Sequence, residues 1–220
     1  MGSHRVILDT PVAPWGAYEI GSAITIWIVM MSVMMLPTVI PWMVACYRIA
    51  SSSSSTAPWS HPPITSGLFV TGYLLAWSGF SIGAVGLQWA MHEGALLSPM
   101  GALQDPVCGG ALLVLVGVFQ WTSLKDRCLA HCQSPLGFFL TSWRAGRTGA
   151  LRMGVDHGLY CVTCCWALMA VAFVAGVMSL IWMGGVTLFV FVDQTLVRSA
   201  ILTRTAGVGL VVWGLWTLAG

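Results

Sequence analysis

Trp27-Ile28-Val29-Met30-Met31-Ser32-Val33-Met34-Met35-Leu36-Pro37 is the middle of an apolar run from Ile20 to about Tyr47, and the length of that run decides the class of fold. A helix rises 1.5 Å per residue, so about 20 apolar residues cross ~30 Å of hydrocarbon. Runs of this kind recur along the chain. Only 7% of the residues are charged and 57% are hydrophobic, whereas soluble proteins run near 25% charged. Too little polar surface exists to cover a globule in water. The reading is an all-α polytopic membrane helix bundle, a single integral membrane domain over 1–220. About six transmembrane helices are expected, at 20–46, 67–90, 106–123, 156–178, 180–196 and 200–218. Positions 1–18 carry His4, Arg5 and Asp9 with no compact apolar core, so the first run reads as a spanning helix and not as a cleavable signal.

Ser51 to Ser55 with Pro58, Pro62 and Pro63 form a polar loop, and 91–105, with Glu93, Pro99 and Asp105, forms another. Residues 124–155 differ from both. They set Lys125, Arg127, Arg144, Arg147 and Arg152 around the short run Leu136-Gly-Phe138-Phe139-Leu140. Ser134-Pro135 reads as an N-cap with proline at the first helical position. The helix that follows is too short to span. A short interfacial helix between the third and fourth spans is expected, with Phe138, Phe139 and Trp143 dipping into lipid.

Basic residues set orientation. With six spans, Arg48, Lys125, Arg127, Arg144, Arg147, Arg152, Arg198 and Arg204 fall on one side and only Arg5 on the other. The expectation is a multi-pass membrane protein with both termini outside and the basic loops in the cytoplasm. Membrane lipid is then one partner. A net charge of +2 without a Lys/Arg run excludes nucleic acid. Trp15, Trp42, Trp89, Trp121, Trp143, Trp182 and Trp216 fall near expected interfaces, where indoles anchor; Trp166 lies inside the fourth span beside cysteines. Gly176, Gly184, Gly185 and Gly207 read as close helix contacts.

The chemistry concentrates in Cys128-Leu-Ala-His131-Cys132 and in His157-Gly-Leu-Tyr-Cys161-Val-Thr-Cys164-Cys165. Five of seven cysteines and two of five histidines sit within 38 residues, and thiolate and imidazole hold soft and borderline metals. Cys128 and Cys132 are four apart, on one helix face with His131 beside them. That helix would be the inner end of the third span, extended through Lys125 and Arg127. His157, Cys161 and Cys164 or Cys165 form a second stripe on the fourth span. The two should face each other at the cytosolic end, where cysteine groups point to metal or catalysis more than to disulfides. Lys125, Arg127 and Arg152 would help keep thiolates deprotonated. Cys46 and Cys108 stand alone and read as packing residues.

Met30, Met31, Met34 and Met35 form thioether pairs at i, i+4 near mid-membrane, a relay for copper(I) or plain packing. Met43 adds a thioether toward the inner face. Pro37 and Pro41 would kink this helix. Asp193, at the inner end of the fifth span, is a costly intramembrane carboxylate that needs a partner. Arg198 is the nearest candidate, and a role in ion passage is the alternative. No nucleophile elbow, phosphate loop or zinc-protease motif occurs, which points away from an enzyme without deciding it.

Ser123-Leu-Lys-Asp-Arg-Cys128-Leu-Ala-His131-Cys132-Gln-Ser-Pro135-Leu, Trp143-Arg144-Ala-Gly146, Gly149-Ala-Leu-Arg152-Met-Gly154 and His157 through Met169 together resemble a bacterial family. Its members are described as predicted metal-binding integral membrane proteins, and some are labelled copper chaperones. Met34-Met35-Leu36-Pro37 and Gly176-Val-Met178-Ser-Leu-Ile-Trp182-Met183 carry the resemblance further, from Trp27 to about Asp193. By position it implies Cys128, His131, Cys132, His157, Cys161, Cys164 and Cys165 as metal ligands. Gln133 stands where the family usually has Arg, Thr163 where it has Gly, and Asp193-Gln194 where it has Glu-Lys. The expected function is handling, delivery or transit of a soft metal, copper(I) first and zinc second. A copper-dependent membrane or periplasmic enzyme or a metallochaperone would be the partner. A structural or assembly subunit with packing cysteines and a membrane thiol redox protein are the two other readings.

Overall fold

Hydrocarbon offers backbone N–H and C=O groups no water, and a helix is the local way to satisfy them. The computed structural model, which describes residues 15–52, 61–98, 101–177, 179–195 and 200–219, is helical accordingly. Its helices are α1 (Ala17–Ser52), α2 (Pro62–Glu93), α3 (Pro106–Phe119), α4 (Ser123–Cys132), α5 (Pro135–Ser142), α6 (Gly146–Ala170), α7 (Ala172–Ala175), α8 (Leu180–Thr195) and α9 (Ala200–Ala219). An isolated bridge between Leu97 and Leu103 is the nearest approach to a strand among the described residues. Arg5, Pro58, Pro99 and Arg198 lie outside them.

Four helical stretches are long and apolar enough to cross a membrane: Ala17–Ser52, Pro62–Glu93, Gly146–Ala175 and Ile201–Ala219. A fifth is possible if α3 and α4 are one span broken by their 64° bend. At 16 residues, α8 is about 24 Å long, short of the hydrocarbon thickness, so length alone does not carry the count to six. Val33, Leu75, Leu115, Ile181 and Leu188 are exposed, while Lys125, Asp193 and Gln194 are buried. An apolar outside over a polar inside is compatible with a multi-pass membrane protein.

Several boundaries differ from the sequence expectation. The third span does not run on as one helix to the cysteines. It ends at Phe119, and α4 begins anew because the Thr122 hydroxyl accepts the Lys125 N–H at 3.3 Å. Residues 146–155 are not loop but the first turns of α6, entered through Gly146 at φ 85°, a conformation that favours glycine. The loop 91–105 is tied down where Leu103 N–H donates to the Phe173 carbonyl at 2.7 Å. Asp105 caps α3 by accepting the Val107 N–H at 3.0 Å, which holds its carboxyl below the usual range.

The short helix between the third and fourth spans exists as α5, yet its aromatics point the other way. Phe138 and Phe139 are buried against Trp42, and Leu136 and Leu140 (80% exposed) form the outer face. Trp42 is likewise no interfacial anchor but the centre of that aromatic cluster. Trp89, Trp121, Trp182 and Trp216 are exposed as anchors should be. Trp166 faces outward from the cysteines, edge-on to Phe119 at 5.3 Å.

The bundle closes around α2, which packs along both α1 and α6, while α3 pairs with α9. Glycine permits this closeness. A Cβ at Gly154 would fall on the Phe69 carbonyl oxygen, and one at Gly72 on that of Leu151. In the second pair, a Cβ at Gly207 would lie 2.9 Å from the Gly117 carbonyl oxygen. Gly184 and Gly185 have open space around them and make no such contact, and Gly176 serves as a turn at φ 92°.

Candidate metal centre

On α4, Lys125, Cys128, Leu129 and Cys132 are the buried residues, and their spacing puts them on one face. That face lies on α6, whose buried stripe holds His157, Cys161, Cys164 and Cys165. The two stripes meet. Cys132 lies beside Cys161 and Cys164, and Cys165 beside the same two. Four thiols thus close a ring, three from one helix and one from another. Cys128 lies next to it, near Cys164 and Lys125. All seven cysteines are free thiols. Among the described residues, no three His, Cys, Asp or Glu side chains stand in a ready coordination geometry; the ring is thiol against thiol.

Polar side chains hold the ring from outside. The Gln194 amide donates to Cys165 Sγ at 3.1 Å and to Cys161 Sγ at 3.5 Å. Tyr73 Oη lies 3.3 Å from Cys161 Sγ, 3.0 Å from the Thr38 hydroxyl, and 3.4 Å from the Met35 carbonyl. Lys125 Nζ is 3.6 Å from Cys164 Sγ and donates to the Cys164 carbonyl at 3.2 Å. Its third donor meets Asp193 Oδ2 at 3.1 Å, with the two side chains 0% and 3% exposed. The other carboxylate oxygen accepts from Thr203. Asp193 is therefore paired with Lys125; Arg198, the candidate nearest in sequence, lies outside the described residues. The pairing also removes Lys125 from the tally of surface charges. Arg127 and Arg152 are exposed, so among the described residues Lys125 alone stands as the cation at the thiols.

The histidines sit at the ring's edge inside an aromatic box. His157, 1% exposed, stacks on Trp42 with centroids 3.6 Å apart and is flanked by Phe69 and Tyr73. His131 stacks on Tyr160 at 3.8 Å, 6.3 Å from His157. Among the described residues, His131 Nε2 and His157 Nδ1 are buried without a hydrogen-bond partner, as are Trp77 Nε1 and Gln120 Oε1. Of the span-one methionines, Met30, Met31 and Met34 line a cavity with α6 and α8. Met35 is buried outside that lining. Cys46 is buried and Cys108 exposed, both apart from the ring.

Sequence reasoning missed Gln194, Tyr73 and Trp42 as neighbours of the thiols, and it set Lys125 beside them only together with Arg127 and Arg152. The spacing separates Lys125 from these two: it lies three residues before Cys128 and seven before Cys132, on the face already assigned to them.

No curated protein and no solved structure matches the chain. A family model described as PpoB2, a copper chaperone, matches residues 24–217; that description names copper and lends zinc no support. Covering nearly the whole chain, this match means that the protein belongs to the PpoB2 copper chaperone family.

Proposed function

We propose that the protein takes up copper(I) on Cys132, Cys161, Cys164 and Cys165 inside a membrane bundle and passes it to a copper-dependent enzyme or a metallochaperone. Cys128, His131 and His157 complete the donor set at its edge. The observation that carries this reading is the gathering of four buried free thiols from α4 and α6 into one ring. Copper(I) prefers soft thiolate ligands, and it replaces thiol protons as it binds. Two thiolates on a monovalent ion leave one negative charge, next to Lys125 Nζ, which lies 3.6 Å from Cys164 Sγ and is itself paired with Asp193. Gln194 and Tyr73 fix the sulfurs as outer partners fix metal ligands.

The test is a competition titration of copper(I) against a chromophoric chelator, on detergent-purified protein under reductant. Wild type is expected to hold stoichiometric copper(I). Cys161→Ser/Cys165→Ser should weaken binding beyond the ~10–100-fold that outer partners contribute. Wild type that holds no stoichiometric metal would overturn the proposal. A quinone-dependent change in thiol count would then favour the redox reading.

The ring lies, on this reading, at the cytosolic face of the bacterial plasma membrane, with both termini outside. Arg48, Arg127, Arg144, Arg147, Arg152 and Arg204 support that orientation by the positive-inside bias. A C-terminal alkaline phosphatase fusion should be active and a C-terminal green fluorescent protein fusion dark; the reverse pattern inverts the topology.

A further inference from the structure

His157, Cys161, Cys165 and Met169 recur every four residues on α6, so they form one line along its face. Each is at most 2% exposed, and the line is about 18 Å long at 1.5 Å per residue. Its last member, Met169, opens on a cavity of about 20 Å3, room for one small ion or water. Met30, Met31 and Met34 of α1 and Met183 of α8 line the same cavity. Five of its 12 lining residues are methionine, against 12 in 220 for the chain. Gap filling accounts for a methionine at an uneven helix junction; it does not account for five methionines from three helices lining one ion-sized space. The remaining side chains there are aliphatic apart from Trp182, so a water would lack the two to four polar partners it needs.

We propose that this cavity is a second copper(I) site, held by thioethers one helical turn past the thiol ring, and that the ion passes between the two along α6. The inference rests on the reading that the ring takes copper(I). Thioethers are soft and neutral, so they suit a monovalent soft ion and bring no further charge into the bundle. Lacking thiolate charge, they hold it less tightly than the ring, which makes the cavity a staging point. Transfer needs only ligand exchange, with no change in oxidation state.

Selenomethionine-labelled wild-type protein, loaded with two equivalents of copper(I) under reductant, tests this by selenium-edge X-ray absorption. A copper scatterer at selenium is expected. In Met31→Leu/Met169→Leu it should disappear, with bound copper falling from about two ions to one. Copper bound by wild type with no scatterer at selenium overturns the thioether site and leaves the thiol reading standing. No bound copper at all overturns both. Copper at selenium that persists undiminished, with total copper unchanged, in Cys161→Ser/Cys165→Ser supports the thioether site and removes the ring. The wild-type spectrum needs no substitution, so a variant that fails to fold does not blunt the test.

Discussion

Lys125→Met is expected to destabilise the protein by about 3–5 kcal/mol, the cost of leaving one member of a buried ion pair uncompensated. Among the described residues, Asp193 would keep Thr203 as its only side-chain donor, in a buried site. The Cys164 carbonyl and Sγ would lose their contacts with Nζ as well. Asp193→Leu in the same chain should recover most of the loss, because an apolar pair of similar volume often does as well as the ions it replaces. Denaturant unfolding of both variants in detergent micelles, followed by tryptophan fluorescence, measures this. A single variant within about 0.5 kcal/mol of wild type, the range of an ordinary surface change, would mean that the pair is not closed off from solvent. Copper(I) binding to the double variant separates fold from chemistry: if Lys125 offsets the charge of bound thiolates, affinity falls even where stability returns.

Gly154→Ala is the second large effect, and its sign runs against helix propensity. Alanine in a helix interior is worth about 1 kcal/mol over glycine, so Gly184→Ala, with open space around it, should be neutral or stabilising. At Gly154 the new methyl meets the Phe69 carbonyl oxygen and comes within 3.0 Å of the Tyr73 nitrogen. Backbone cannot rotate aside as a side chain does, so α2 must retreat from α6. A loss at or above the upper end of the ~1–3 kcal/mol for overpacking is expected. Phe69 and Tyr73 also flank His157, and Tyr73 touches Cys161, so copper(I) affinity should fall with stability. Thermal unfolding of the two alanine variants side by side decides it. Equal behaviour at 154 and 184 would sink the claim that α2 and α6 pack backbone to backbone.

Much of the site was legible because helical faces are local. Four-residue spacing put Cys128 with Cys132 and His157 with Cys161, and burial agrees at every one of these positions. Other parts were misread for equally physical reasons. Phe138 and Phe139 were assigned to lipid because a short aromatic helix beside basic residues fits an interface. Trp42, the side chain that covers them, comes from a helix about 90 residues away in sequence. Arg198 was the candidate partner of Asp193 by nearness along the chain and lies outside the described residues, whereas the partner seen among them, Lys125, is 68 residues off.

The sequence by itself determined that the chain is built of helices, several of them long and apolar enough to cross a membrane, and which faces of α4 and α6 carry sulfur, since apolar length and helical period are read within a few turns. Only the tertiary structure decided that Cys132 completes a ring with the α6 thiols, that Lys125 answers Asp193, and that Met169 and Met183 join the methionines of α1. Each of these depends on how closely separate helices approach. Here that approach is set by glycines whose missing side chains let one backbone lie on another.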